Sequence, residues 1–145
     1  MKCRSRGALE VKGSASFSSE SELIDVVARF LKSCGFEVFK CVRVWDLEID
    51  VVALERIGID CYVYVFEAKR RPKLKFIKQL RRRVWLADYV YAAIPYTMYS
   101  WALRKLEPDI GIAIVSRDGL MILRKSRYFG NGRKFLELAN LHFEA

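Results

Sequence analysis

The sequence predicts an α/β fold in a single compact domain, built in the order helix, three strands, helix, strand, helix, hairpin and short closing helix. Three observations predict it. Apolar spacings of three to four residues alternate along the chain with strand-like runs of β-branched and aromatic residues. Two such runs, Glu48–Leu54 and Cys61–Lys69, flank the turn Ile57-Gly58-Ile59-Asp60 and read as one hairpin. At 145 residues and 52% hydrophobic content, the chain can fill one core and has no length for a second full domain.

Taken in order, residues 1–17 are basic and rich in small residues (Gly7, Gly13, Ser14, Ser16), the composition of a mobile arm ahead of a domain over 18–145. Ser19 and Glu22 have the spacing of a capping box, and Leu23, Val26, Val27, Phe30 and Leu31 form the apolar stripe of a helix from Ser19 to Ser33. Cys34-Gly35 ends it, glycine supplying the left-handed cap. Phe36–Trp45 is a first strand leading into the hairpin. After Lys69, Pro72 ends the strand and opens a helix over Lys73–Ala87, which buries Leu74, Ile77, Leu80 and Val84, with Trp85 at its end. Asp88–Pro95 is a strand and Tyr96–Leu106 a helix. Ile110–Val115 and Leu120–Leu123 form a hairpin about Asp118-Gly119, and Phe135–Phe143 is a closing helix.

A symmetrical fold of the central hairpin about Gly58-Ile59 pairs Val52 with Val65, Leu54 with Val63, and Asp50 with Glu67. Opposed side chains in a ladder lie roughly 4.5–5.5 Å apart at Cβ, and like charges there repel. A hard divalent cation such as Mg²⁺, bound by one or two carboxylates with water and phosphate, offsets that repulsion. Lys69 lies two residues beyond Glu67 and so faces the same way. The same pairing also sets Lys69 opposite Glu48, leaving open a simple cross-strand ion pair with Asp50 as a capped edge residue.

Asp50, a gap of sixteen residues, then Glu67-Ala68-Lys69 at the end of a hydrophobic strand resembles the PD-(D/E)xK nuclease pattern of the restriction-endonuclease-like superfamily. The style is most similar to small archaeal Holliday junction resolvases and RecB-type nuclease domains. Ile49 stands where the pattern's name has proline, a replacement many members share. The element order over about residues 19–95 is similar to that superfamily's αβββαβ core.

The resemblance implies a mixed central sheet flanked by helices, with the last hairpin as an extension. It implies a metal-dependent DNA endonuclease that hydrolyses phosphodiester bonds, with junction-resolvase-like structure specificity. Asp50, Glu67 and the Ala68 carbonyl would hold Mg²⁺, or Mn²⁺ in its place, and Lys69 would orient the attacking water or offset charge on the phosphorane-like transition state. As an unaided base, its reference pKa of about 10.4 is too high. A glutamate of the first helix, Glu22 with Glu20 second, would reach the metal through water; its other role is the cap. Gln79 would sit near Lys69 or be a surface polar residue. A homodimer would let two sites cut two strands, with the apolar hairpin Ile110–Leu123 as the contact.

Between Lys69 and Arg83 there are nine basic residues and no acidic one. A solvated helix face usually mixes signs, because like charges at i,i+4 repel. Phosphate contacts by Arg70, Arg71, Lys73, Lys75, Lys78, Arg81 and Arg82 account for the departure. Tyr91, Tyr96, Tyr99 and Trp101 read either as core or as stacking groups for unpaired bases.

The totals agree with a polyanion partner, at 26 basic against 17 acidic residues and a formal charge of +9. No run approaches the ~20 apolar residues of a membrane span, and the basic N-terminus leads into no signal-type apolar run, so a soluble cytoplasmic protein is expected. Cys3, Cys34, Cys41 and Cys61 lack C-x-x-C spacing and, with His142 the single histidine, form no zinc pattern; they read as buried thiols. One Gln, two Asn and one Thr beside many charges is a thermophile-like composition, in which a Cys34–Cys41 disulfide becomes conceivable. No Walker or Rossmann glycine loop is present. Two other functions fit the same sequence: a non-catalytic nucleic-acid-binding module of a larger complex, or a module whose basic helix meets an acidic protein.

Overall fold

A computed structural model of the chain describes residues 17–139. Its elements are α1 (Glu20–Ser33), β1 (Glu37–Val44), β2 (Leu47–Ile57), β3 (Asp60–Ala68), α2 (Leu74–Arg83), β4 (Tyr89–Pro95), α3 (Tyr99–Lys105), β5 (Gly111–Ser116), β6 (Gly119–Arg124) and α4 (Gly132–Leu138). The six strands form one mixed sheet in sequence order: β1, β2 and β3 run antiparallel, β3, β4 and β5 parallel, and β6 returns antiparallel. The parallel pairs follow from the crossover helices, since strands aligned the same way need a long connection.

Two apolar layers sandwich the sheet. On one face α1 lays Leu23, Val27 and Leu31 over Val51, Phe66, Tyr91 and Val115. On the other, Phe76 and Leu80 of α2, Ala102 of α3 and Phe135 of α4 cover Val52, Val65, Ala92 and Ile112. Tyr64, Phe66, Tyr89 and Tyr91 stack along the α1 face, with the Phe66–Tyr91 centroids 5.0 Å apart. Tyr91 pairs with Gly111, where any Cβ would meet the tyrosine ring at 2.4 Å.

Helix α1 starts where Ser19 Oγ accepts the Glu22 amide at 3.1 Å, and ends at Gly35, whose φ of 96° suits glycine. The capping box is half made, because the Glu22 carboxylate turns to Ser18 and Arg117 instead of back to Ser19. Asp88 ties three elements: its carboxylate accepts the Val63 amide at 2.8 Å and the Gly132 amide at 3.0 Å, joining the start of β4 to β3 and to the first residue of α4.

Several expectations need correction. Leu74 and Trp85 are exposed, and Phe76 takes the buried position, because α2 ends at Arg83 and a tighter 3-10 turn over Val84–Leu86 swings Trp85 outward and Leu86 inward. The last hairpin turns on Arg117-Asp118, with Gly119 already paired to Ser116. Helix α4 begins three residues earlier than its periodicity indicates; the rest of the expected helix, and His142, lie outside the described residues. So do residues 1–16, but Phe17, assigned to the arm, is buried against α1. Cys41 is an exposed free thiol and Cys61 a half-buried one, while Cys34 is disulfide-bonded though not to Cys41, so the expectation of buried thiols fails for Cys41 and Cys34 and the Cys34–Cys41 bond is not formed. Of the aromatic residues, Tyr91 is core in the layer under α1, Tyr96 and Trp101 pack half-buried against the opposite layer, and Tyr99 is exposed. Among the described residues no helix is long and apolar enough to cross a membrane.

Candidate functional site

The register of β2 on β3 pairs Val51 with Phe66, Val52 with Val65 and Leu54 with Val63, so Asp50 and Glu67 come next, across the ladder from one another. A slip in alternation prepares the place. Phe39 and Val42 both pack into the core layer that holds α2 although three residues apart, and so do Ile49 and Val52. In regular strands such residues point to opposite faces. The reversal falls between the pairs Lys40–Val51 and Val42–Ile49, where Cys41 adopts a left-handed φ of 52°. Asp50 sits in that reversal, with its Oδ2 accepting the Ala68 amide at 2.8 Å and its own amide directed at Glu67 Oε1 at 3.4 Å.

Glu67 has no exposed surface. Its Oε1 accepts Arg83 Nε at 3.0 Å and its Oε2 accepts Gln79 Nε2 at 2.6 Å, both donors rising from the buried side of α2. Arg83 is itself buried, and its Nη2 reaches the Glu48 carbonyl at 3.3 Å. Burial pushes the Glu67 carboxyl up to about 7, the Asp50 charge adds to the rise, and Arg83 and Gln79 oppose it. Burial likewise raises Asp50 above the usual carboxylate range. The two carboxyls face each other across the ladder with both pKa values raised, so they cannot both ionise cheaply.

Gln79 thus touches Glu67 and not Lys69. Arg83 carries the charged contact to Glu67 and was not among the residues the sequence singled out for the site. A signal existed: Phe76, Leu80 and Arg83 follow the i, i+4, i+7 spacing, which puts an arginine on the buried stripe.

Lys69 departs from the strand rule. β3 ends at Ala68, the Lys69 amide bonds the Ala93 carbonyl at 3.1 Å, and its Nζ pairs with Glu20 of α1 at 3.6 Å instead of with Glu48. Glu48 faces Arg43 at 3.9 Å. Glu20 also accepts Arg70 Nε at 2.8 Å, while Arg70 Nη1 holds the Phe17 carbonyl. Glu22, the first choice on this helix, is instead engaged by Ser18 Oγ and by Arg117, both at 2.6 Å. Glu20 is therefore the α1 carboxylate brought to Lys69.

The basic run divides into two groups. Arg81 is taken up by Glu107 and Asp109, at 2.6 and 2.7 Å, and fastens α2 to the loop before β5; Arg70 is similarly engaged. Arg71, Lys73, Lys75, Lys78 and Arg82 are exposed. Lys75, Lys78 and Arg82 line a cavity of about 390 Å³ with Leu47, and Gln79 and Arg83, the two donors to Glu67, complete its lining.

Among the described residues no group of three or more His, Cys, Asp or Glu could hold a metal ion. Asp50 and Glu67 are two carboxyls across one ladder, the number a hard divalent cation such as Mg²⁺ asks of a protein when water and phosphate complete its shell, and the Asp50 charge that raises Glu67 is one a cation would offset.

No family model matches the chain, and no curated protein matches it. Among solved structures, the SPO1766 protein of Silicibacter pomeroyi, a protein of unknown function, is similar with a TM-score of 0.65 and 18% sequence identity, over 88% of this chain and 87% of that one. That likeness shows a shared α/β fold.

Proposed function

We propose that the protein is a metal-dependent endonuclease of the PD-(D/E)xK type, a cytoplasmic enzyme acting on DNA and possessing the restriction-endonuclease-like fold. The observation that carries this reading is the Asp50–Glu67 carboxyl pair, set by two paired strands behind a cavity lined with lysine and arginine. The order α1, β1–β2–β3, α2, β4, with β4 parallel to β3, supports the fold assignment.

In this reading Asp50, Glu67 and the Ala68 carbonyl would hold Mg²⁺ or Mn²⁺, which when bound would supply a Lewis acid for the scissile phosphate and a lowered pKa for its water. The chain's own residues do the rest. Gln79 and Arg83 fix the Glu67 carboxylate in one orientation. Deprotonation of the coupled pair makes both carboxylates available, which sets a rise in activity through about neutral pH. Lys69, held by Glu20, presents an ammonium that steadies the water or the developing phosphorane charge. Lys75, Lys78 and Arg82 bind flanking phosphates. A second copy joined along the β6 edge would place two such sites on one DNA.

A second reading rests on Arg83. Its guanidinium already neutralises Glu67, so the network is self-sufficient as a buried ion pair, and the protein would then be a non-catalytic DNA-binding subunit of a larger complex. Labelled four-way junction, splayed, single-stranded and duplex DNA incubated with Mg²⁺ or Mn²⁺ decide between them. Products that vanish in Asp50→Ala support the nuclease, and the preferred substrate names its class. Binding without products, in both proteins, supports the subunit.

A further inference from the structure

Trp45 and Trp85 stand out because they are 65% and 67% exposed, while the third tryptophan, Trp101, packs half-buried on the core. Lys75, Lys78 and Arg82 follow one another at intervals of three and four and share the exposed face of α2, opposite buried Phe76, Leu80 and Arg83, and Trp85 projects outward from the 3-10 turn that directly continues that helix. Trp45 approaches from the β1–β2 turn. It lies two residues before Leu47, which lines the same cavity as Lys78 and Arg82. Its φ of 58° is a conformation bulky residues rarely adopt, and such strain persists only where the surrounding structure imposes it.

We infer that this face binds nucleic acid with unpaired bases, with Trp45 and Trp85 stacking on the bases and Lys78 and Arg82 holding phosphates between them. The inference rests on the nuclease reading for its location and names that site's substrate class: single strands, or junctions and forks with single-stranded arms. Charge complementarity selects a polyanion, since no acidic residue interrupts the chain from Lys69 to Arg83. The tryptophans select among polyanions. A duplex offers phosphates outward and keeps its bases stacked inside, leaving two exposed indoles without a partner. An unpaired strand offers phosphate and π-face together, which is how sequence-tolerant single-strand binders hold their ligand.

The test is binding of labelled single-stranded, splayed and blunt duplex DNA to the full chain in EDTA, where cleavage plays no part, by wild type, Trp85→Ala, Trp85→Phe, Trp45→Phe and Lys78→Ala. We expect single-stranded DNA to quench tryptophan fluorescence and to bind roughly 5- to 100-fold more weakly to Trp85→Ala, with duplex affinity unchanged and Trp85→Phe largely restored. Lys78→Ala should weaken all three ligands alike. Equal losses on single-stranded and duplex DNA, no loss, or no DNA binding at all would overturn the inference. Cleavage of DNA by a protein insensitive to Trp85→Ala overturns it and leaves the nuclease standing; a single-strand-specific loss in a protein without Mg²⁺-dependent products does the reverse.

Discussion

Glu67 is fully buried and lies beside the Asp50 carboxyl, so its chemistry reports on the fold. Because its folded pKa is raised from 4.5 to about 7, the protonated form is the stable one. Stability is complete at the acid end and falls as pH rises through that interval, since the native state then binds more protons than the unfolded chain. Thermal melts across the interval should show this decline, and Asp50→Asn should flatten it by removing the neighbouring charge. Above neutral pH, Mg²⁺ at tenfold its Kd should restore about 1.4 kcal/mol, reversed by EDTA and absent in Asp50→Asn. Arg83→Met should cost ~3–5 kcal/mol by urea unfolding, and Arg83→Met with Glu67→Leu clearly less, because the single change strands a buried charge. The Asp50–Glu67 pairing was legible, since a two-residue turn fixes register by arithmetic. The Arg83 clasp and the Lys69–Glu20 pair were not. Both depend on where an element ends and on which helix comes near, and neither distance is written in local spacing.

Helix α2 illustrates the same limit at the scale of an element. Its existence and its charge were readable, but its rotation was not. Leu74 and Trp85 are apolar and attracted the buried assignment, while Pro72 behind the first turn and the 3-10 turn after Arg83 set the phase that buries Phe76. Urea unfolding should therefore find Phe76→Ala destabilised by ~3–5 kcal/mol and Leu74→Ala by less than ~0.5 kcal/mol. The reverse order would mean that α2 is turned about its axis. At the opposite end of the parallel strands, Gly132 touches Asp88 so closely that a Cβ would lie 2.1 Å from Oδ2 and 2.9 Å from Val63 Cγ2. Gly132→Ala should cost roughly 1–3 kcal/mol, read as a lowered Tm.

For the whole molecule, net charge overstates the number of cations available to a ligand. Arg81 and Arg70 hold the fold together through carboxylates, while Lys75, Lys78 and Arg82 are exposed along the cavity. Salt titrations of DNA binding should lose about 0.9 in slope on duplex, or about 0.7 on single strands, for Lys78→Ala and nothing for Arg81→Ala, whose cost should appear in stability instead. The sheet order was within reach of the sequence because each connection is short or carries one helix, and the helical crossovers dictate parallel neighbours. The half of the molecule that remained hidden is the alternation reversal at Cys41 and Asp50, since two adjoining strands change face together and neither betrays it alone. That reversal and the two-residue turn at Gly58-Ile59 make chain length the guardian of the carboxyl pair. Related chains can lengthen the arms of this hairpin only by matched additions, one residue in each, or at the turn itself; an unmatched insertion within either arm, between Asp50 and Ile57 or between Asp60 and Glu67, would turn one carboxyl away and end the site without changing a single residue in it.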